Sequence, residues 1–224
     1  MLYVIAQTAG AHLKGIRWHL ERRAVPYAIL PAWEITRYPD LARGDAIIGM
    51  GGPPSVARLD DAHYEHPYLV CEAGFIAHTL LEPVPFLGIC MAHQLRAKLS
   101  HNPVQEVSLE HGLTEIVLNA EGRAHWLFAG VPERFVVFEH HNDQVVRLDR
   151  DGVLLASSQH CRVQAVAWGE VSASVQFHPE VLVEEMPEAL SLEGARDSSG
   201  IALPADYLAY ASRIFDNFLN RAGF

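Results

Sequence analysis

The chain has 224 residues, half of them hydrophobic and a fifth charged, which suits one globular domain with a full core and leaves no room for two ordinary ones. Its 17 basic and 27 acidic residues give a formal charge of −10, arguing against the clustered Lys and Arg that a nucleic-acid surface needs; RWHLERR at 17–23, the one dense basic stretch, reads as a solvated helix face. No apolar run approaches a membrane span, and the start, MLYVIAQTAG, lacks both a basic leader and a long apolar core, so the expectation is a cytoplasmic protein without membrane or nucleic-acid partners.

In chain order, residues 2–6 read as a strand, 12–23 as a helix, 27–30 and 45–50 as strands, 68–81 as a helix and 86–89 as a strand. Strands alternating with helices predict a parallel, doubly wound sheet, whose ligands sit at the carboxyl ends of the strands. The second half changes character. Segments 113–118, 134–139, 152–157, 164–168 and 172–177 are strand-like, separated by polar turns, and extend the sheet with hairpins rather than building a second domain. Residues 182–206 mix Pro, Gly, Ser and acidic residues and read as an insertion or lid-like loop, and 207–224 as a closing helix that stops near Gly223. The expected organisation is a single domain over 1–224.

Three cysteines, Cys71, Cys90 and Cys161, are too few and too scattered for a disulfide framework. Cys71 lies in YLVCEAGFIAHTLL, whose helical apolar spacing predicts a core thiol, and Cys161 sits in the turn-like SSQHCR. Cys90 is different. PFLGICMAHQL is an apolar run, then Gly88, then Cys90, then a stretch with good helix propensity, the pattern of a nucleophile elbow in which Gly88 and Ala92 supply the small flanking residues. Alone, this pattern is equally that of a buried Cys ending a core strand. The segment SVQFHPE, whose His178 lies 88 residues after Cys90, decides between them: its alternation predicts a strand that Pro179 ends just after His178, and Cys90, His178 and Glu180 are a nucleophile, a base and an orienting carboxylate.

LGICMAHQL together with VQFHPE resembles the class I, triad-type glutamine amidotransferases, and within them the GMP-synthetase-like group. DAIIGMGGPPSV at 45–56 is similar to the family's strand and oxyanion loop, His141, Asp143 and Val145 fit its HxDxV segment, and LLASSQHCRVQAVAW is similar to the run before the HPE strand. Val181 directly after HPE resembles the GMP-synthetase group rather than the anthranilate-synthase group, where Ser is usual. The likeness covers roughly residues 1–182 and implies a flavodoxin-like, doubly wound, mostly parallel sheet flanked by helices, with additional antiparallel strands in the second half.

By the same resemblance, the Cys90 thiolate attacks the side-chain amide of L-glutamine, His178 transfers the proton to departing ammonia and Glu180 fixes the imidazole. The backbone amides of Gly52 and Met91 would form the oxyanion hole, Asp143 would meet the substrate ammonium with His141 alongside, and Gln94 would contact the substrate amide. Read without the resemblance, GlyGlyProPro also serves as a plain strand-ending turn, and HHND as a polar turn between strands. His140 next to His141 invites a metal reading, but no acidic or His partner stands nearby at ligand spacing; His63 and His66 form a similarly weak pair, and neither metal nor cofactor is expected.

Two departures from the family pattern stand out. Ala92 replaces a usual Gly, and the AxxGG that usually continues the elbow helix is here Ala97 to Leu99, then Ser100, His101, Asn102 and Pro103, a change expected near the glutamine pocket. No phosphate-binding Gly-rich loop with Lys and Ser/Thr is present, so ammonia would leave for a separate acceptor synthetase. The competing readings are a stand-alone γ-glutamyl amide or peptide hydrolase with the same triad, and a catalytically weak binding protein on the same fold.

Overall fold

The structure is a computed structural model that describes residues 1–8, 13–186 and 203–224. Its elements run β1 (Leu2–Ala6), α1 (Leu13–Arg22), β2 (Tyr27–Pro31), β3 (Ala46–Gly49), α2 (Tyr68–Leu81), β4 (Phe86–Ile89), α3 (Met91–Leu99), β5 (Val104–Leu118), α4 (Ala120–Ala124), β6 (Arg134–Val145), β7 (Val153–Ser157), β8 (Ala165–Trp168), β9 (Ser172–Val175) and α5 (Tyr207–Ala222). The strands form one nine-stranded sheet in the order β2-β1-β3-β4-β9-β8-β7-β5-β6. From β2 through β9 every pairing is parallel, and from β9 onward every pairing is antiparallel. The doubly wound sheet with an antiparallel extension is thus the architecture observed.

Strand alternation explains why helices cover both faces. In β1, β3 and β4, Leu2, Val4, Ala46, Ile48, Leu87 and Ile89 join a core with α1 and α5. Their neighbours Ile5, Ile47 and Phe86 point the other way, into a core with α2 and α3. Helix α5 buries Tyr207, Tyr210, Ala211, Ile214, Phe215, Phe218 and Leu219, a spacing of three and four that makes one apolar stripe. It ends at Gly223, whose φ of 88° is the left-handed C-cap conformation that favours glycine.

Several boundaries differ from the sequence expectation. Strand β5 begins at Val104, well before 113, and carries a register shift between Glu106 and Glu110. Strand β6 continues through HHND to Val145, so this segment is no turn. In both cases polar residues alternate along the strand, and a pattern sought in apolar residues does not register them. Cys71 is exposed rather than a core thiol, because α2 buries Leu69, Glu72, Ala73, Phe75, Ile76 and Thr79 and turns Cys71 outward. Of the expected loop at 182–206, residues 187–202 lie outside the described residues, as do 9–12, the last of which begins the expected first helix; Val183–Glu185 forms a single 3₁₀ turn. Among the described residues, no helix is long and apolar enough to cross a membrane.

Candidate active site

Cys90 follows β4 directly, with φ of 51°, a left-handed conformation that side chains other than glycine's rarely adopt. The strain turns the chain from strand to helix within one residue and leaves Cys90 as the N-cap of α3. Two main-chain hydrogen bonds hold the turn: Cys90 N donates to Val175 O of β9 at 2.9 Å, and Gln94 N donates to Cys90 O at 3.1 Å. Gly88 is needed here, since an added Cβ would lie 2.8 Å from the Phe86 ring and 3.1 Å from the Ala92 carbonyl carbon. The Ala92 methyl is accommodated by Gly49 on β3, where a Cβ would stand only 2.6 Å from it.

His178 and Glu180 lie just beyond β9, the strand hydrogen-bonded to β4. His178 Nδ1 donates to Glu180 Oε1 at 2.7 Å, with the two side chains 3 % and 0 % exposed. The imidazole edge and the Cys90 sulfur meet beneath Gly51: a Cβ added there would stand 2.8 Å from His178 Cε1 and 3.6 Å from Cys90 Sγ. Burial alone would lower the His178 pKa, but the Glu180 carboxylate and the facing Cys90 outweigh it and hold it well above the usual imidazole range.

The HPE segment is clamped from three sides. His178 N donates to Phe138 O of β6 at 2.9 Å, and the Tyr207 hydroxyl of α5 donates to Val181 O at 2.9 Å. From the third side α1 approaches so closely that a Cβ on Gly15 would overlap the Glu180 carbonyl oxygen at 1.7 Å.

The loop after β3 covers the sulfur. Gly52 packs on Gln7, whose Cβ would be 2.3 Å from an added Gly52 Cβ, and Gln7 Nε2 in turn donates to the buried Glu72 Oε2 of α2 at 2.7 Å. Farther along the loop, Asp143 Oδ2 accepts from Ser55 Oγ and Ala57 N, both at 2.9 Å, so this carboxylate fastens the loop to β6. Its Oδ1 is buried without a hydrogen-bond partner. Met91 is the buried first residue of α3, on the other side of Cys90 from Gly88.

Gln94 Nε2 donates to Asp143 O at 2.7 Å and to Gln176 Oε1 at 3.2 Å. His141 lies beside Asp143: Nδ1 meets Asp143 O at 3.0 Å, and Nε2 stands 3.3 Å from Glu110 Oε2 and 3.4 Å from Glu139 Oε2. Burial alone would lower its pKa, yet the two carboxylates push it up to about 10. The expectation that no acidic partner stands at ligand spacing is therefore corrected. Glu110 lies directly opposite His141 in the β5–β6 register, Glu139 is two residues before it on the same face, and the ligand atoms of all three fall within 4.8 Å of one another.

Gln176, Glu110, Glu139, Gln7 and Glu72 carry no signal of their own in the sequence. Reading HHND as strand would place Glu139, His141 and Asp143 on one face. The replaced AxxGG is also corrected: Ser100 to Pro103 follow the C-terminal end of α3, roughly 13 Å of helix away from Cys90. There His101 takes the left-handed position at φ 59°, and Asn102 Oδ1 accepts from Asp149 N and Arg150 N.

Residues 14–193 match the family model for glutamine amidotransferase class-I. A curated relative from Methanopyrus kandleri, one of the subunits of its glutamine-hydrolysing GMP synthase, is 29 % identical over 82 % of this chain and 91 % of its own length. The corresponding GMP synthase protein of Sulfolobus acidocaldarius is 34 % identical over 73 % of this chain and 83 % of its own. Among solved structures, a glutamine amidotransferase from Thermotoga maritima superposes with a TM-score of 0.80 at 19 % identity, covering 100 % of this chain and 98 % of that one, a likeness of fold. With the family model spanning well over half of its length, the chain belongs to the class-I glutamine amidotransferases.

Proposed function

We propose that this protein hydrolyses the side-chain amide of L-glutamine through a cysteinyl thioester and hands the ammonia to a separate synthetase. The observation that carries the reading is the strained Cys90 elbow, set against a His178–Glu180 pair at 2.7 Å under the Gly51–Gly52 loop. His178 removes the thiol proton, Cys90 Sγ attacks the amide carbon, and the same proton goes to the departing nitrogen, so that neutral ammonia leaves. Water, deprotonated by His178, then cleaves the thioester to glutamate.

The amides of Gly52 and Met91 receive the oxyanion, a contribution of roughly 3 kcal/mol each to the barrier. Asp143 Oδ1, the oxygen the loop leaves unused, takes the substrate α-ammonium. Gln94, whose Nε2 is committed to the protein, offers its carbonyl oxygen to the substrate amide. The single sheet supports one functional domain over 1–224, and a working thiol suits the reducing cytoplasm.

The relatives from Methanopyrus and Sulfolobus are parts of glutamine-hydrolysing GMP synthases, which makes a nucleotide-aminating synthetase the acceptor to try first. Glutamate release is measured from glutamine and from a panel of γ-glutamyl dipeptides, with and without that synthetase. Glutamine should be the best substrate, and most clearly so when the synthetase is present. Faster dipeptide turnover that no partner alters would replace the ammonia donor with a γ-glutamyl hydrolase.

A further inference from the structure

The buried polar groups behind Cys90 have only one consistent arrangement of their hydrogens. The Asp143 main-chain carbonyl can only accept, so His141 Nδ1, at 3.0 Å, carries a proton, and Gln94, at 2.7 Å, presents its NH₂. The second Gln94 hydrogen meets Gln176 Oε1 at 3.2 Å. That fixes the Gln176 amide with its own NH₂ toward Cys90 Sγ, at 3.7 Å. At the other end, His141 Nε2 faces the carboxylates of Glu110 and Glu139, which a proton on that nitrogen suits best. Each amide orientation in the chain is thus dictated by its neighbour.

Resting on the reading of Cys90 as nucleophile, we propose that Gln176 donates to the Cys90 thiolate and is aimed by a buried chain from Glu110 and Glu139 through His141, the Asp143 carbonyl and Gln94. His141 is then a positioning residue and not a contact to glutamine. The chain delivers a fixed donor to the sulfur, so the thiolate has a hydrogen-bond partner after its proton has left. Before that, the thiol itself is within reach of His140 O at 3.7 Å. Among the described residues, the titratable groups that act on Cys90 include His178, paired with Glu180, from the segment after β9, and His141 from β6, which Glu139 of the same strand and Glu110 of β5 face. Cys161 is also near, but burial pushes its thiol up, so it stays neutral.

The test follows the rate of iodoacetamide alkylation against pH in the full-length protein with the exposed Cys71 replaced by Ser, alongside kcat and KM for glutamine. In Gln176→Met, which keeps the volume and removes the donor, the midpoint of the fast alkylation phase should move up by about one pH unit or more, the worth of a hydrogen bond to a charged group. Gln176→Glu, an isostere, should move it further, because a carboxylate then faces the sulfur. His141→Asn keeps a donor near the Asp143 carbonyl but loses the charge; it should lower kcat about tenfold while KM stays within about twofold. A midpoint unchanged in both Gln176 variants would overturn the inference. So would a His141→Asn variant that raised KM at unchanged midpoint, or a stoichiometric metal ion found by elemental analysis and lost in Glu139→Gln, since a ligating His141 carries no proton on Nε2. Cys90→Ser separates the two layers: a fast phase that persists there overturns the reading of the site itself, whereas one that vanishes there yet keeps its midpoint in the Gln176 variants overturns this inference alone.

Discussion

Glu72 offers a quantitative check on the interior behind the Gly51–Gly52 loop. Its carboxyl is fully buried on α2, with Oε2 accepting from Gln7 and Oε1 lacking a hydrogen-bond partner. Burial raises its pKa from 4.5 to about 8, against the smaller lowering effect of the Gln7 contact. A carboxyl with a raised folded pKa destabilises the fold only where the unfolded chain would ionise it: the effect is absent below pH 4.5, grows between 4.5 and about 8, and is constant above.

At about 1.4 kcal/mol per pH unit, the destabilisation is about 1 kcal/mol at pH 5 and about 3 kcal/mol at pH 7. Glu72→Gln removes this dependence. The new amide NH₂ lacks a partner where Oε1 now stands, but that penalty does not change with pH, so the informative quantity is the slope. In a domain of this size the melting temperature of the variant should gain about 4–8 °C on the parent between pH 5 and pH 7. Differential scanning calorimetry across that range measures it. Parallel curves for parent and variant would mean that Glu72 is ionised in the fold, and would refute the assignment of a dry, neutral carboxyl under Gln7.

Two further outcomes concern catalysis. Gly51→Ala places a methyl 2.8 Å from His178 Cε1 and 3.1 Å from Cys90 Cβ, so glutaminase activity should fall by about a hundredfold or more while far-ultraviolet circular dichroism stays that of the parent. Asp143→Asn removes the charge proposed to hold the substrate ammonium but keeps an oxygen to accept from the loop, so the glutamine KM should rise about tenfold or more with a smaller change in kcat, read from initial rates of glutamate release.

The residues legible in the sequence are those whose chemistry demands a local pattern. A nucleophile elbow needs Gly88 before Cys90 and a helix after it, and a strand-ending HPE places base and carboxylate two residues apart, so both are readable from short segments. What escapes the sequence depends on partners far along the chain. Helix α2 is apolar on most sides, and only the packed sheet shows that Glu72 points inward and Cys71 outward. Glu110 and His141 are a cross-strand pair, which becomes visible only when 104–112 is known to be strand. Likewise, the replaced AxxGG is expected near the pocket because it is near Cys90 in sequence; the length of α3 carries it to the opposite end of the sheet.

The proposed triad is the product of one register. Strand β9 runs parallel to β4 with Ile89 opposite Val175, so the next residues, Cys90 and Gln176, arrive side by side although 86 positions separate them in the chain. Side chains alternate along β9 and into the segment after it. With Val175 and Phe177 turned into the core shared with α1 and α5, Gln176 and His178 fall on the side of the thiol. A slip of one residue would send the base into the apolar core and present Phe177 to Cys90. Burial of Val175 and Phe177 therefore does more than stabilise the sheet: it selects the register in which Cys90, Gln176 and His178 converge.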